Sequence, residues 1–174
     1  AKPSALRIRR ILVPLDFSGE SRQALKYAIA LAEKFNARIA LAHVVAPLPV
    51  PVMPTALGMG VAYVPMPIRG QRKHAVTALH ERGETLIPRA LDERSIVTTG
   101  HAASQIIAIA EQIDADVIVL TTHGHSGVTR FLMGSTAEQV VRHARCPVMT
   151  VRRTPPKKSK RPSRSPIVPP LRAL

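Results

Sequence analysis

The chain has 174 residues, of which 45% are hydrophobic, together with one cysteine and a net charge of +14. This length suffices for one domain with a buried core, and no apolar run is long enough for a transmembrane helix. Since the first residues also lack the pattern of a secretory signal, and one cysteine forms no internal disulfide bond, we expect a soluble cytoplasmic protein.

The first predicted element is a strand over 11–16 (ILVPLD). Because Pro14 cannot donate to a strand ladder, regular pairing is expected to end near it. Asp16 then lies at the carboxyl end of the strand, which is the edge at which open α/β sheets bind ligands.

A helix and a second strand follow. Ser18 or Gly19 is expected to cap the helix and Asn36 to end it, because apolar residues recur at helical spacing between these positions. The run 38–45 (RIALAHVV) is typical of a buried strand. The order strand, helix, strand predicts a right-handed parallel crossover.

The segment 46–70 is apolar, rich in proline and almost free of charged residues. Its prolines disfavour both a helix and a central strand, and connections of this length are often lids or binding loops. We hypothesise that the segment folds over a ligand or over a partner subunit. A deletion that left ligand affinity and dimer mass unchanged would contradict this hypothesis.

The second half of the chain alternates in the same way. Periodicity predicts helices over about 71–86, 102–113 and 137–144, and strands over 94–99, 117–120 and 147–152. Strands that alternate with helices predict an α/β fold, here a single-domain, open, doubly wound parallel sheet of five strands with helices on both faces. We expect this domain to span residues 1–152.

The connection after the fourth strand carries two glycine-rich breaks. Gly124 and Gly127 follow the strand, and the run 134–136 (GST) precedes the last helix. Backbone N–H groups exposed in such a loop and at the following helix N-terminus form a binding site for an anion such as phosphate. A second interpretation needs no ligand, since Ser135 and Glu138 have the spacing of a capping box and glycines are common in turns.

The run 122–151 (THGHSGVTRFLMGSTAEQVVRHARCPVMTV) resembles the C-terminal half of the universal stress protein family. Nucleotide-binding members of that family carry a signature of Gly, two residues, Gly, nine residues, then Gly followed by Ser or Thr. Gly124, Gly134 and Ser135 match this signature, whereas Thr121 stands where the first glycine is expected. The resemblance extends over residues 7–152 in layout.

The resemblance implies the sheet order 3-2-1-4-5 of the adenine-nucleotide α-hydrolase-like fold, with ATP and Mg²⁺ bound where the first and fourth strands meet. Matching family positions assign Asp16 to the nucleoside, the backbone of Val44 to adenine and His123 to the phosphates, for which Arg130 is a further candidate. The residues themselves also allow a capping or solvent-facing Asp16, a core Val44, an ordinary loop histidine and a solvent-facing arginine. The candidate cofactor-binding residues are Pro14, Leu15, Asp16, Val44, Leu120, Thr121, His123, Gly124, Gly127, Arg130, Gly134, Ser135 and Thr136.

The predicted fifth strand lies at the edge of the sheet, where an apolar strand tends to pair with another chain. Family members commonly form antiparallel dimers through this strand, so the resemblance implies a homodimer through Val148 to Arg152. Cys146 precedes the same strand and is expected to be a buried structural thiol rather than a nucleophile.

His123 and His125 flank Gly124, but neither cysteine nor an acidic residue lies nearby at the spacing of metal ligands. A zinc site is therefore not predicted.

Residues 153–174 are dominated by proline, serine and basic residues, and eight positive charges without any acid lie between Arg152 and Leu174. We expect this segment to be a disordered basic tail. The tail is either solvated or in weak, nonspecific and salt-sensitive contact with nucleic acid or an anionic surface. Lysine and arginine release counterions from phosphate polymers, but the tail offers no aromatic side chain for base stacking.

Three functions from different classes remain open. The leading one is an ATP-binding regulatory protein of the stress response, a homodimer in which the nucleotide is a conformational ligand. The second is a nucleotide-independent member of the same family that serves as an interaction dimer, and Thr121 is the residue that favours it. The third is a slow ATPase or another adenine-nucleotide enzyme, although the sequence lacks a Walker motif, a Rossmann glycine fingerprint and a nucleophile elbow.

Overall fold

The structure, a computed structural model, describes residues 7–47, 69–122 and 133–152. Helices and strands alternate along these ranges. In chain order the elements are β1 (Arg10–Pro14), α1 (Gly19–Phe35), β2 (Arg38–Val45), α2 (Arg69–Leu86), β3 (Asp92–Thr99), α3 (Ala102–Gln112), β4 (Val117–Thr121), α4 (Ser135–His143) and β5 (Val148–Val151). Within the described ranges, none of the helices is long and apolar enough to cross a membrane.

The five strands form one parallel sheet in the order β3-β2-β1-β4-β5, which confirms the predicted fold class. β1 lies in the centre of the sheet and pairs with β2 on one side and β4 on the other. Its residues Ile11, Leu12 and Val13 are fully buried, as expected for an apolar strand covered on both faces. The winding of the chain reverses between β1 and β4, and ligands bind at such a point in open α/β sheets.

Helices cover both faces of the sheet because side chains alternate along each strand. On one face, Ile11 and Val13 belong to a core cluster that includes residues of α1 and α2. On the other face, Leu12 belongs to a second cluster that includes residues of α3 and α4. The apolar run of β1 therefore supplies both layers of the core.

The ends of α1 follow the predicted chemistry. The Oγ of Ser18 accepts the N–H of Ser21 at 3.0 Å, so Ser18 is the N-cap. Asn36 ends the helix in the left-handed conformation, with a φ of 52°. Both observations confirm the predictions, because a cap depends on residues that are close in the sequence.

The Asp116 carboxylate joins two segments of the chain at the amino end of the sheet. Asp116 Oδ2 accepts the N–H groups of Arg9 at 2.7 Å and Arg10 at 2.9 Å. The N–H of Asp116 donates to the Arg10 carbonyl at 2.9 Å, and Arg10 Nη1 donates to the Ile113 carbonyl at 2.7 Å. These bonds join the start of β1 to the turn before β4.

Several predictions concern residues outside the described ranges. These are the proline-rich segment over 48–68, the glycine-rich connection over 123–132 and the basic tail over 153–174. Of the segment predicted over 46–70, the last two residues belong to α2.

Candidate functional site

A cavity of about 290 Å³ opens at the carboxyl ends of β1, β2 and β4, next to the N-terminus of α4. It lies where the winding of the sheet reverses. Nine of the predicted cofactor-binding residues line it: Pro14, Leu15, Asp16, Val44, Leu120, Thr121, Gly134, Ser135 and Thr136. The fold therefore brings residues from both halves of the chain into one crevice.

Asp16 lies in the turn between β1 and α1. The predicted strand over 11–16 extends too far, whereas the expected end of regular pairing near Pro14 is confirmed, since β1 ends at that residue. The Oδ1 atom of Asp16 accepts the N–H of Ser18 at 3.0 Å and its hydroxyl at 2.6 Å. Asp16 thus orders the turn before α1, much as the interpretation of a capping acid suggests, and it also borders the cavity.

Gly134 brings α4 against the end of β4. Its N–H donates to the Thr122 carbonyl at 2.7 Å, and a Cβ at this position would stand 3.0 Å from the same oxygen. Because the neighbouring atom belongs to the backbone, it cannot swing aside as a flexible side chain would. Close approach to the backbone, and not backbone conformation, therefore favours glycine here, since its φ is −60°.

The capping-box interpretation of Ser135 and Glu138 is wrong. The helix predicted over 137–144 begins earlier, at Ser135, so its N-cap is Gly134, which has no side chain to accept a hydrogen bond. Glu138 instead pairs with Arg142 one turn further on, at 2.9 Å. Since Gly134 supplies no capping side chain, the first N–H groups of α4 lie beside the cavity without such a cap from the described part of the chain, and groups of this kind bind anions at helix N-termini.

Two threonines end β4. Thr121, which the resemblance aligns with the first glycine of the family signature, is partly buried and lines the cavity. Thr122 is buried, and its N–H donates to the Val151 carbonyl at 3.2 Å while its own carbonyl accepts from Gly134. Thr122 therefore connects β5 to α4 directly beneath the cavity.

Six of the described residues that line the cavity were not predicted, namely Ser21, Ala42, Ala102, Ile106, Thr122 and Ala137. Ala42 could have been found, because it lies two residues before Val44 and alternate side chains of a strand share a face. Ala102 and Ile106 are one turn apart on α3, and the apolar spacing of that helix predicts only that it packs against something. The first turn of α3 borders the cavity because of the path of the crossover that contains this helix. That path is a tertiary feature, which the spacing of apolar residues does not predict.

The other four candidates, His123, Gly124, Gly127 and Arg130, lie outside the described residues. Among the residues that are described, no group of three or more His, Cys, Asp or Glu is arranged to hold a metal ion.

Cys146 lies near the amino end of the sheet and not at the cavity. The prediction of a buried thiol was too strong, because the residue is only half-buried. Partial burial nevertheless raises the pKa of the Cys146 thiol, and the negative charge of Asp116 acts in the same direction. Since the thiolate is the reactive form, these surroundings disfavour nucleophilic chemistry.

Comparisons with known proteins agree with this architecture. The model of the Universal stress protein family matches residues 7–152. Universal stress protein MJ0531 of Methanocaldococcus jannaschii is 31% identical over 158 residues, which cover 86% of this chain and 84% of that protein. The solved structure of universal stress protein UspA from Lactobacillus plantarum is 25% identical, with a TM-score of 0.66, and covers 84% of this chain and 99% of that chain.

A universal stress protein from Archaeoglobus fulgidus, solved in complex with dAMP, has the same fold at 19% identity and a TM-score of 0.53. That similarity covers 83% of this chain and 98% of that chain. The family model and the relative that is 31% identical both extend over most of the chain. The chain therefore belongs to the universal stress protein family.

Proposed function

We propose that the protein binds ATP together with Mg²⁺ and acts as a regulatory protein of the stress response whose conformation depends on the nucleotide. The observation that carries the proposal is the cavity at the carboxyl ends of β1 and β4, which is lined by nine of the residues predicted for this role. Family membership supports a role in stress. The Archaeoglobus protein, which shares the fold alone, is one case in which that fold holds an adenine nucleotide.

The chemistry of the cavity favours one orientation of the nucleotide. The N–H groups and dipole of α4 attract the phosphates to Ser135 and Thr136. The Asp16 carboxylate repels phosphate and accepts hydrogen bonds from hydroxyl or amino groups, so the nucleoside belongs on its side. Val44 and Ile106 supply apolar surface for the base. In this proposal Gly124, Gly127, His123 and Arg130 complete the phosphate end.

Calorimetric titration with ATP and Mg²⁺, on protein freed of co-purified nucleotide, tests the proposal. We expect micromolar binding by the natural chain. In Gly134→Ala the added Cβ pushes the first turn of α4 away from the Thr122 carbonyl, so binding should weaken about tenfold.

Gly70→Ala is the matched control, since a Cβ there meets nothing within 4 Å. It should bind ATP as the natural chain does. Absence of binding by the natural chain, or equal losses in the two glycine variants, would contradict the proposal.

The nucleotide-independent dimer is favoured by one observation, which is the Thr121 side chain on the cavity wall. If this side chain blocks the nucleotide, Thr121→Gly should acquire ATP binding that the natural chain lacks. Binding by the natural chain, unchanged in Thr121→Gly, would exclude this alternative.

We further propose a homodimer through residues 148–152. Within the described sheet β5 pairs only with β4, so its outer edge is open to a second chain. Met149 on β5 and Val141 on α4 are 37% and 45% exposed. Light scattering should give a dimer mass for the natural chain and a monomer mass for Met149→Glu. Val76→Glu, at an equally exposed apolar residue of α2, should remain a dimer.

The division into a domain over 1–152 and a basic tail over 153–174 is also a proposal. We propose weak contact between the tail and nucleic acid or an anionic surface, and the positive charge of the tail alone supports it. A chain that ends at Arg152 should retain ATP affinity and lose salt-sensitive retention on immobilised DNA. Equal retention of both chains would contradict a role for the tail.

A further inference from the structure

Three side chains stack beside the turn that carries Asp16. The ring of Phe17 lies against the ring of His43 on β2, with 4.2 Å between centroids and 23° between planes. The guanidinium carbon of Arg82 on α2 lies over the Phe17 ring, 4.7 Å from its centroid. The Phe17 ring thus contacts a side chain of β2 and a side chain of α2. The turn is therefore held between β2 and α2.

His43 also holds the backbone next to Asp16. Its Nδ1 atom lies 2.7 Å from the Leu15 carbonyl oxygen. Since a carbonyl only accepts hydrogen bonds, Nδ1 carries a proton and donates it. The N–H of Leu15 donates to the Ala42 carbonyl at 2.8 Å. Both backbone polar groups of Leu15 are thus bonded to β2, one residue before Asp16.

Phe17 has a backbone conformation that its Cβ disfavours. Its φ is 65°, in the left-handed region that residues other than glycine seldom adopt. Such a conformation persists only where the surrounding structure holds it. Here the surroundings are the two stacking partners and the bonds from Ser18 to Asp16 Oδ1. The residues on both sides of Asp16 are therefore fixed by tertiary contacts.

We propose that Phe17 and His43 are positioning residues for Asp16, and that the stack with Arg82 sets the direction in which the Asp16 carboxylate meets a nucleoside. The identity of the ligand rests on the proposed function. Neither Phe17 nor His43 is among the described residues that line the cavity. Both act through Asp16 and not by contact with the nucleotide.

The ATP affinities of single and combined variants test whether Phe17 and His43 act through Asp16, and the single variants are measured first. Phe17→Gly accepts a φ of 65° and removes the ring, and His43→Leu removes the stacking ring and the donor. Each should weaken ATP binding about tenfold. Phe17→Tyr keeps the ring and should bind as the natural chain does.

The decisive variant combines Asp16→Asn with Phe17→Gly. Because Phe17 acts through the Asp16 carboxylate, the combined variant should bind ATP no more weakly than Asp16→Asn alone. Losses that add, or a loss in Phe17→Tyr as large as in Phe17→Gly, would overturn the proposal.

Amide hydrogen exchange provides a measurement without nucleotide. The Ser18 N–H is bonded to Asp16 Oδ1, so its exchange reports whether the turn is held. Exchange at Ser18 should accelerate about tenfold in Phe17→Gly, while amides in the middle of α1 keep their rates. Unchanged exchange at Ser18 would overturn the proposal. If the natural chain does not bind ATP, the proposed function fails, and the exchange rates still determine whether the stack holds Asp16.

Discussion

At the amino end of the sheet, Asp116 accepts two backbone N–H groups and joins β1 to the turn before β4. At the carboxyl end, Asp16 Oδ1 accepts the N–H and the hydroxyl of Ser18, two residues further along the chain, and the residue borders a cavity. The bonds of the first carboxylate to these N–H groups link elements that are distant in the sequence, whereas the bonds to Ser18 place the second in a turn beside the cavity. We therefore expect substitutions at the amino end to change stability and those at the carboxyl end to change ligand binding.

The largest effect on stability is expected from Asp116→Ala. It removes the acceptor of the Arg10 N–H, which is partly buried, and of the Arg9 N–H, so the free energy of unfolding should fall by about 2 kcal/mol. Urea denaturation measures this change. The folded variant should keep the ATP affinity of the natural chain.

Asp114→Asn is the control for that experiment, because asparagine also tolerates the left-handed φ of 50° at this position. The Asp114 side chain is 89% exposed and lies 3.7 Å from Arg10 Nη1. Removal of its charge should change stability by less than about 0.5 kcal/mol. Equal costs at Asp114 and Asp116 would show that the bonds to the backbone are not what stabilises this end.

Ser18→Ala should affect both properties at the carboxyl end. It removes the N-cap of α1, which costs about 1 kcal/mol, and it removes the hydroxyl that Asp16 accepts. Denaturation and calorimetry should therefore both show a loss. Ser104→Ala, at an exposed position of α3, should change neither. Normal ATP affinity in Ser18→Ala would contradict a role for the Asp16 turn in nucleotide binding.

Ser135→Ala changes the opposite side of the cavity, at the first residue of α4. Because Ser135 follows the N-cap instead of being it, stability should change by less than about 0.5 kcal/mol. ATP binding should weaken roughly fivefold through loss of a hydroxyl beside the phosphates. A loss of stability as large as in Ser18→Ala would instead support a capping role for Ser135.

The smallest effect concerns Cys146. Burial raises the pKa of its thiol, and Asp116 adds to this. At a given pH below that pKa, the folded protein then contains less thiolate than the unfolded chain, so iodoacetamide should react more slowly with folded protein. The rate should rise with pH with a midpoint above that of protein in urea. Identical midpoints in the two states would contradict the effect of burial.

The sequence was sufficient for features that depend on neighbours along the chain. The caps of α1 were predicted because Ser18 and Asn36 act within one turn of their own helix. The apolar run of β1 predicted a strand buried on both faces, and its alternation with helices predicted the doubly wound sheet. Family resemblance then named nine of the described residues that line the cavity.

Contacts between distant segments could not be predicted in this way. Gly134 was noted in the sequence, but the close contact that favours glycine there is made with the Thr122 carbonyl. The structure also starts α4 at Ser135 and not at the predicted residue 137. No spacing rule relates Phe17 to His43 and Arg82, which lie on a turn, a strand and a helix. Tertiary packing brings these side chains together. The crossover of the chain and the register of β1 on β2 place their elements side by side at the carboxyl ends of the strands.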